Sequence, residues 1–229
     1  MKTVAVILSG CGFKDGAEIT ESVLTLLALD RRGARTVCAA PDIRQAELFD
    51  HQKGAVEMGG TRSVRAEAAR IARGPVRDVS ELAPEDFDAV VLPGGWGAVK
   101  NLSNFAFDQG DFRVDEGLAS FLTRFHALGR PMGFICIAPA IAARLFGKEG
   151  VKFTVGTDTD TGAALAAHGG THVECPVDDI VVDEALNIVT TPAYMLATRP
   201  TEAEAGITKL VDAVLARTGK RQGAAAPAG

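Results

Sequence analysis

Cysteine is scarce in this chain of 229 residues. The four present, Cys11, Cys38, Cys136 and Cys175, lie far apart and form no C-x-x-C pair. That spacing excludes a zinc ribbon and a disulfide framework, and it fits reduced thiols in a cytosol, so the expected location is cytoplasmic. Positive charge is also short: 24 Lys and Arg against 29 Asp and Glu give a net charge of −5, which argues against nucleic acid as a partner. The four histidines (His51, His126, His168, His172) lack metal-ligand spacing. No apolar run approaches the ~20 residues of a membrane span. Met1-Lys2-Thr3 leads straight into an apolar run, so no signal peptide is expected. The lone G-x-G, Gly10-Cys11-Gly12, has no third glycine, which argues against a dinucleotide.

Short apolar runs alternate with helix-like segments. Runs at Thr3–Leu8, Thr36–Ala40, Asp88–Leu92 and Met132–Ile135 read as buried strands. Ala17–Arg31, Ser63–Arg73, Asp115–Leu128 and Ala138–Phe146 read as helices, the first closed by Gly33. Lys152–Val155 reads as a further strand and Gly162–His168 as a small helix. Val177–Val182 and Asn187–Thr191 suggest a hairpin. A closing helix over Thr201–Arg217 carries an apparent capping box, Thr201 with Glu204. This alternation predicts one α/β domain over residues 1–218, with a mainly parallel sheet covered by helices on both faces. Residues 219–229, rich in Ala, Gly and Pro, read as a disordered tail.

The most informative stretch is Pro131-Met-Gly-Phe-Ile-Cys-Ile-Ala-Pro139. A buried strand ends at Cys136 and a helix begins at once, which is the order of a nucleophile elbow. Backbone amides and the positive end of the helix dipole would face the sulfur and lower its pKa, making Cys136 a candidate nucleophile. A core-packing cysteine is the competing reading. In such sheets ligands gather at the carboxyl ends of the strands. Three loops leave strands there: Ser9–Gly16, Pro93–Gly97 and the turn at Cys136.

Pro93-Gly94-Gly95 supplies backbone that can approach a ligand closely, so the Gly95 and Ile137 amides are candidates for an oxyanion hole. A plain strand-to-loop turn is the alternative. Glu21, early in the first helix, can reach the same edge and share one proton with the thiol. Glu18, three residues earlier, competes for that role, and a solvated surface position is the ordinary fate of such a residue. Gly94, Trp96 and Cys11 are candidate substrate contacts. His172 near Cys175 is a weaker catalytic pair, and Asp158-Thr-Asp160 and Asp178-Asp179 suit turns or caps better than metal.

Several motifs together resemble a known family: Leu8-Ser-Gly-Cys-Gly12, Asp15-Gly-Ala-Glu-Ile19 with Glu21, Leu92-Pro-Gly-Gly95, Gly133-Phe-Ile-Cys-Ile-Ala-Pro139, Pro176-Val-Asp-Asp-Ile-Val-Val-Asp183 and Thr190-Thr-Pro-Ala-Tyr194. In this order and spacing, over roughly residues 2–217, they resemble the ElbB-type isoprenoid biosynthesis glyoxalases. These form a ThiJ/PfpI branch of the class I glutamine amidotransferase-like superfamily. The resemblance implies a flavodoxin-like three-layer sandwich, a homodimer, an elbow cysteine matching Cys136, a buried acid matching Glu21 and oxyanion amides matching Gly95 and Ile137. It further implies a glutathione-independent glyoxalase, a lyase that turns methylglyoxal or glyoxal into lactate or glycolate without a cofactor. A cysteine-based redox or metabolite sensor is the alternative. Where peptidase relatives carry His after the nucleophile, this chain has Ile137, which weakens protease and amidotransferase readings. The second proton-transfer group is thereby left unassigned, with Asp158 a candidate.

Overall fold

A computed structural model describes residues 1–219. The tail assigned to disorder therefore lies, from Lys220 onward, outside the described residues.

The chain opens with β1 (Thr3–Ile7), α1 (Ile19–Arg31) and β2 (Arg35–Ala40). A hairpin of two-residue strands, β3 (Phe49–Asp50) and β4 (Ala55–Val56), precedes α2 (Val64–Ala72) and β5 (Arg77–Asp78). Then follow β6 (Ala89–Leu92), α3 (Trp96–Lys100), α4 (Glu116–Ala127), β7 (Met132–Ile135) and α5 (Pro139–Phe146). The last third holds β8 (Lys152–Phe153), α6 (Thr159–Ala166), β9 (Thr171–His172), β10 (Val181–Asp183), β11 (Ile188–Thr191) and α7 (Pro200–Arg217).

Seven strands form one sheet in the order β10-β11-β7-β6-β1-β2-β5, parallel except for β10 against β11. β1, β6 and β7 sit in the middle, and their side chains are buried on both faces, as a doubly covered parallel sheet requires. One face packs beneath a phenylalanine-rich layer that includes Phe87, Phe121, Phe125 and Phe146. The other packs on Leu29, Ala68, Ile207 and Leu210 of α1, α2 and α7. This is the expected flavodoxin-like sandwich. From β1 the chain first builds outward to β2 and β5, then crosses back to β6, β7 and β11. The reversal falls between β1 and β6, and their carboxyl ends open onto a natural crevice.

Some boundaries differ from the reading of the sequence. α7 begins at Pro200, with Arg199 as its N-cap, so Thr201 is not the cap. Proline's fixed φ and missing N–H suit the first helical turn, and the end is closed instead by Glu202, whose carboxylate accepts from the Thr198 N–H at 2.9 Å. The hairpin survives with a shorter first strand, since only Val181–Asp183 pairs with β11. Asp158 is the N-cap of α6, accepting from the Thr161 N–H at 3.0 Å, and is thus committed to the helix rather than to proton transfer. His172 packs its ring 5.8 Å from that of Phe153, and Cys175 turns its thiol to the Pro176 carbonyl. All four cysteines are free. Among the described residues no helix is long and apolar enough to cross a membrane, and no cluster of His, Cys, Asp and Glu could hold a metal ion.

Candidate active site

The site is built at the carboxyl ends of β1, β6 and β7. β7 ends at Ile135, and the next residue, Cys136, takes φ of +61°. A non-glycine residue in that region is strained by roughly 1–3 kcal/mol, so the surrounding structure must hold it there. The Cys136 N–H donates to the Thr191 carbonyl at 2.9 Å, which anchors the turn on the end of β11. α5 starts at Pro139, so the sulfur sits ahead of a helix N-terminus, within reach of the Gly95 and Ile137 amides.

Glu21 is fully buried. Its Oε2 accepts from the Gly94 N–H at 2.9 Å and its Oε1 from the Tyr194 N–H at 3.1 Å. The carboxyl and the Cys136 thiol hydrogen-bond to one another. Residues 115 positions apart are thereby brought into contact beneath two amides. Glu18, the competitor, is the N-cap of α1 and accepts from the Glu21 N–H at 2.6 Å. Its carboxylate is spent on the helix end, which leaves Glu21 as the acid on the sulfur.

Burial, reinforced by the nearby Glu18 carboxylate, raises Glu21 to about 8. The thiol does not follow the expectation of a lowered pKa. Burial first, and the Glu21 carboxylate second, push Cys136 well above its ordinary value, outweighing the pull of the Gly95 and Ile137 amides. The pair is therefore neutral at pH 7 and becomes a monoanion by losing one shared proton near 8.

Gly94 explains why the sequence has no side chain there. A Cβ would lie 2.5 Å from the Cys136 Cβ and 2.8 Å from both Glu21 Oε2 and the Ile135 carbonyl. Gly94→Ala is expected to destabilise the fold by about 1–3 kcal/mol and to separate acid from thiol. A urea titration that leaves the midpoint unchanged would contradict this contact. At Gly95, φ of +92° and a neighbouring Glu18 backbone likewise demand glycine.

Trp96 is the first residue of α3 and is half-exposed, its N–H donating to the Phe13 carbonyl at 2.7 Å. The Lys14 and Lys100 ammonium groups lie 5.1 and 5.6 Å from its ring. Cys11 lines a pocket of about 240 Å³ together with Glu18. Tyr194 was not singled out from the sequence, because a backbone amide carries no side-chain signature. The positive φ of Ala193, +42°, which precedes that amide, is equally invisible in a string of residue types.

A flavodoxin-like sheet with a thiol on the turn after a central strand, met by a buried carboxyl from the first helix, defines a class of α/β proteins with an elbow cysteine. Residues 3–198 match the DJ-1/PfpI family, and the chain belongs to it. A human protein described as glutamine amidotransferase-like class 1 domain-containing protein 3, mitochondrial, is 41% identical over 226 residues, covering 95% of this chain and 84% of that protein. A crystal structure of an isoprenoid biosynthesis protein with an amidotransferase-like domain from Ehrlichia chaffeensis superposes with a TM-score of 0.86 at 35% identity, covering 93% of this chain and 99% of the other. Drosophila melanogaster DJ-1beta shares the fold at a TM-score of 0.55 and 20% identity, over 96% of this chain and 91% of the other.

Proposed function

We propose that the protein is a cofactor-independent glyoxalase acting on methylglyoxal or glyoxal. The observation that carries this reading is the buried Glu21 carboxyl bonded to Cys136, with the Gly95 and Ile137 amides on the same sulfur. For methylglyoxal, Cys136 forms an S–C bond to the aldehyde carbon while Glu21 takes the thiol proton. The new alkoxide rests on Gly95 and Ile137 and receives that proton back, giving a hemithioacetal. The Glu21 carboxylate then takes the proton from C1 and delivers it to C2 through an enediol, leaving a lactoyl thioester. Water splits the thioester, releasing lactate and restoring the thiol. C1 is oxidised and C2 reduced within one molecule, so the sequence of steps balances without glutathione, metal or external oxidant. A cofactor-free assay of D- or L-lactate from methylglyoxal tests it, and a rate equal to that of buffer would refute it.

A second reading, a redox or metabolite sensor with residual turnover, is favoured by the burial of Cys136, which is 7% exposed and hard to ionise. A neutral Glu21 carboxyl could donate to a sulfinate formed there. Stoichiometric oxidation of Cys136 by mild peroxide, read by peptide mass spectrometry with negligible lactate formation, would favour sensing.

A homodimer belongs to the same proposal. Ile19, Val23 and Leu27 stand exposed at successive four-residue steps along α1, the helix that carries Glu21. Sedimentation equilibrium is expected to give twice the 23.9 kDa of one chain, and Val23→Glu with Leu27→Glu to give a monomer. A wild-type monomer at micromolar concentration would remove this part of the account.

A further inference from the structure

Beside the elbow lies the pocket of about 240 Å³, walled by Cys11, Phe13, Glu18, Arg62, Glu67 and Arg70 among others. It adjoins the reacting groups through Glu18, whose backbone N–H donates to the Gly94 carbonyl at 3.0 Å and whose carboxylate caps the Glu21 N–H. One residue thus separates the pocket from the oxyanion amides.

The charges in this pocket are unequally satisfied. Glu18 is answered by the N-terminus of α1, and Glu67 by Arg70 and by its own place in the first turn of α2. The two arginines are not used up. Arg62 commits only Nη2, to Glu57 at 3.1 Å, and Arg70 only Nη1, to Glu67 at 3.2 and 3.4 Å. Each keeps its Nε–H and its other Nη without a hydrogen bond among the described residues. A guanidinium with N–H groups left over can take a carboxylate or phosphate oxyanion, and Phe13 supplies an apolar flank for a short carbon chain.

We infer that this pocket is the subsite for an anionic end, carboxylate or phosphate, of the carbonyl substrate, held by Arg62 and Arg70 while the aldehyde reaches Cys136. This rests on the glyoxalase reading and narrows its substrate class from small neutral α-oxoaldehydes to ones bearing a terminal anion.

Two measurements test it with separable failures. The first compares kcat/KM for 4,5-dioxopentanoate, an α-oxoaldehyde ending in a carboxylate, with kcat/KM for methylglyoxal. The ratio is expected to favour the carboxylate in the wild type and to fall roughly tenfold or more in the Arg62→Gln, Arg70→Gln double variant, the size of one lost charge-assisted contact. A ratio unmoved by the double substitution overturns the inference. The second needs no turnover: alkylation of Cys11 by iodoacetamide is followed by peptide mass spectrometry against rising succinate or inorganic phosphate. Saturable protection in the wild type, lost in the double variant, supports the subsite, and the stronger protector tells carboxylate from phosphate. Absence of protection by either anion overturns it. If neither aldehyde is turned over, the glyoxalase reading fails, and the anion site then stands or falls on Cys11 protection alone. Thermal melting of the double variant close to that of the wild type checks that it is folded.

Discussion

Cys136→Ala is expected to lower kcat/KM for methylglyoxal by ~10³-fold or more, because no S–C bond can then form and the amides alone retain only a residual effect. Cys136→Ser is expected to fall nearly as far, since an alkoxide beside a buried carboxyl is harder to generate than a thiolate. Cys11→Ala, Cys38→Ala and Cys175→Ala serve as comparison. Cys38 is pushed up to about 11 by burial, and neither it nor Cys175, raised to about 11 for the same reason, faces an oxyanion hole. Steady-state lactate formation decides the matter. Turnover in Cys136→Ala within tenfold of the wild type would show that the chemistry occurs elsewhere.

The second large effect is on stability. An acid whose folded pKa is raised keeps a proton that the unfolded chain has already released. Glu21 moves from 4.5 in the ordinary state to about 8 in the fold. Its contribution is therefore complete below about pH 4.5 and is lost progressively as the pH rises to about 8. The slope reaches about 1.4 kcal/mol per pH unit, which accumulates to about 5 kcal/mol over that window. Glu21→Gln carries no proton to lose. Urea unfolding of wild type and variant at a series of pH values should show the variant gaining on the wild type across this window, whatever its offset at pH 4. The offset itself should be unfavourable, because the Gln amide cannot accept from both the Gly94 and Tyr194 N–H groups. A stability difference independent of pH would mean that Glu21 is already ionised in the fold.

The same proton governs activity. With the pair neutral at pH 7, alkylation of Cys136 and methylglyoxal turnover should both rise as the pH passes about 8, where the monoanion forms. For the stability loss to level off at the same pH, about 8, at which activity rises is a demanding coincidence unless both come from Glu21.

Much of this arrangement could be read from residue types, for reasons that are physical. The elbow was legible because a four-residue buried strand, a thiol and a helix-starting proline follow in direct succession from Met132 to Pro139. Glu21 was legible only as a position on a helix face. Which of Glu18 and Glu21 meets the sulfur depends on the helix starting at Ile19, and that in turn places Glu18 at the cap. The direction of the thiol's shift is not legible in the sequence, because a helix N-terminus and two amides are local and visible, whereas desolvation comes from layers supplied by distant segments. The two-residue strands β3, β4 and β9 are too short to show a period of two, and the Tyr194 amide has no letter of its own. The shifted start of α7 has a local cause: proline at the first helical position outranked a capping box one residue further on.

The central claim is that acid and thiol share a proton in a dry contact beneath Gly95 and Ile137. Difference infrared spectroscopy of the carboxyl C=O stretch, comparing wild type with Glu21→Gln from pH 4 to 10, reads that proton directly. A protonated carboxyl that persists through pH 7, ionises near 8 and titrates higher in Cys136→Ala, where the carboxylate loses the thiol's hydrogen bond, agrees with a carboxyl buried against its thiol partner. A Glu21 band that disappears near pH 4.5, unmoved by removal of the thiol, would place the acid in water and contradict it.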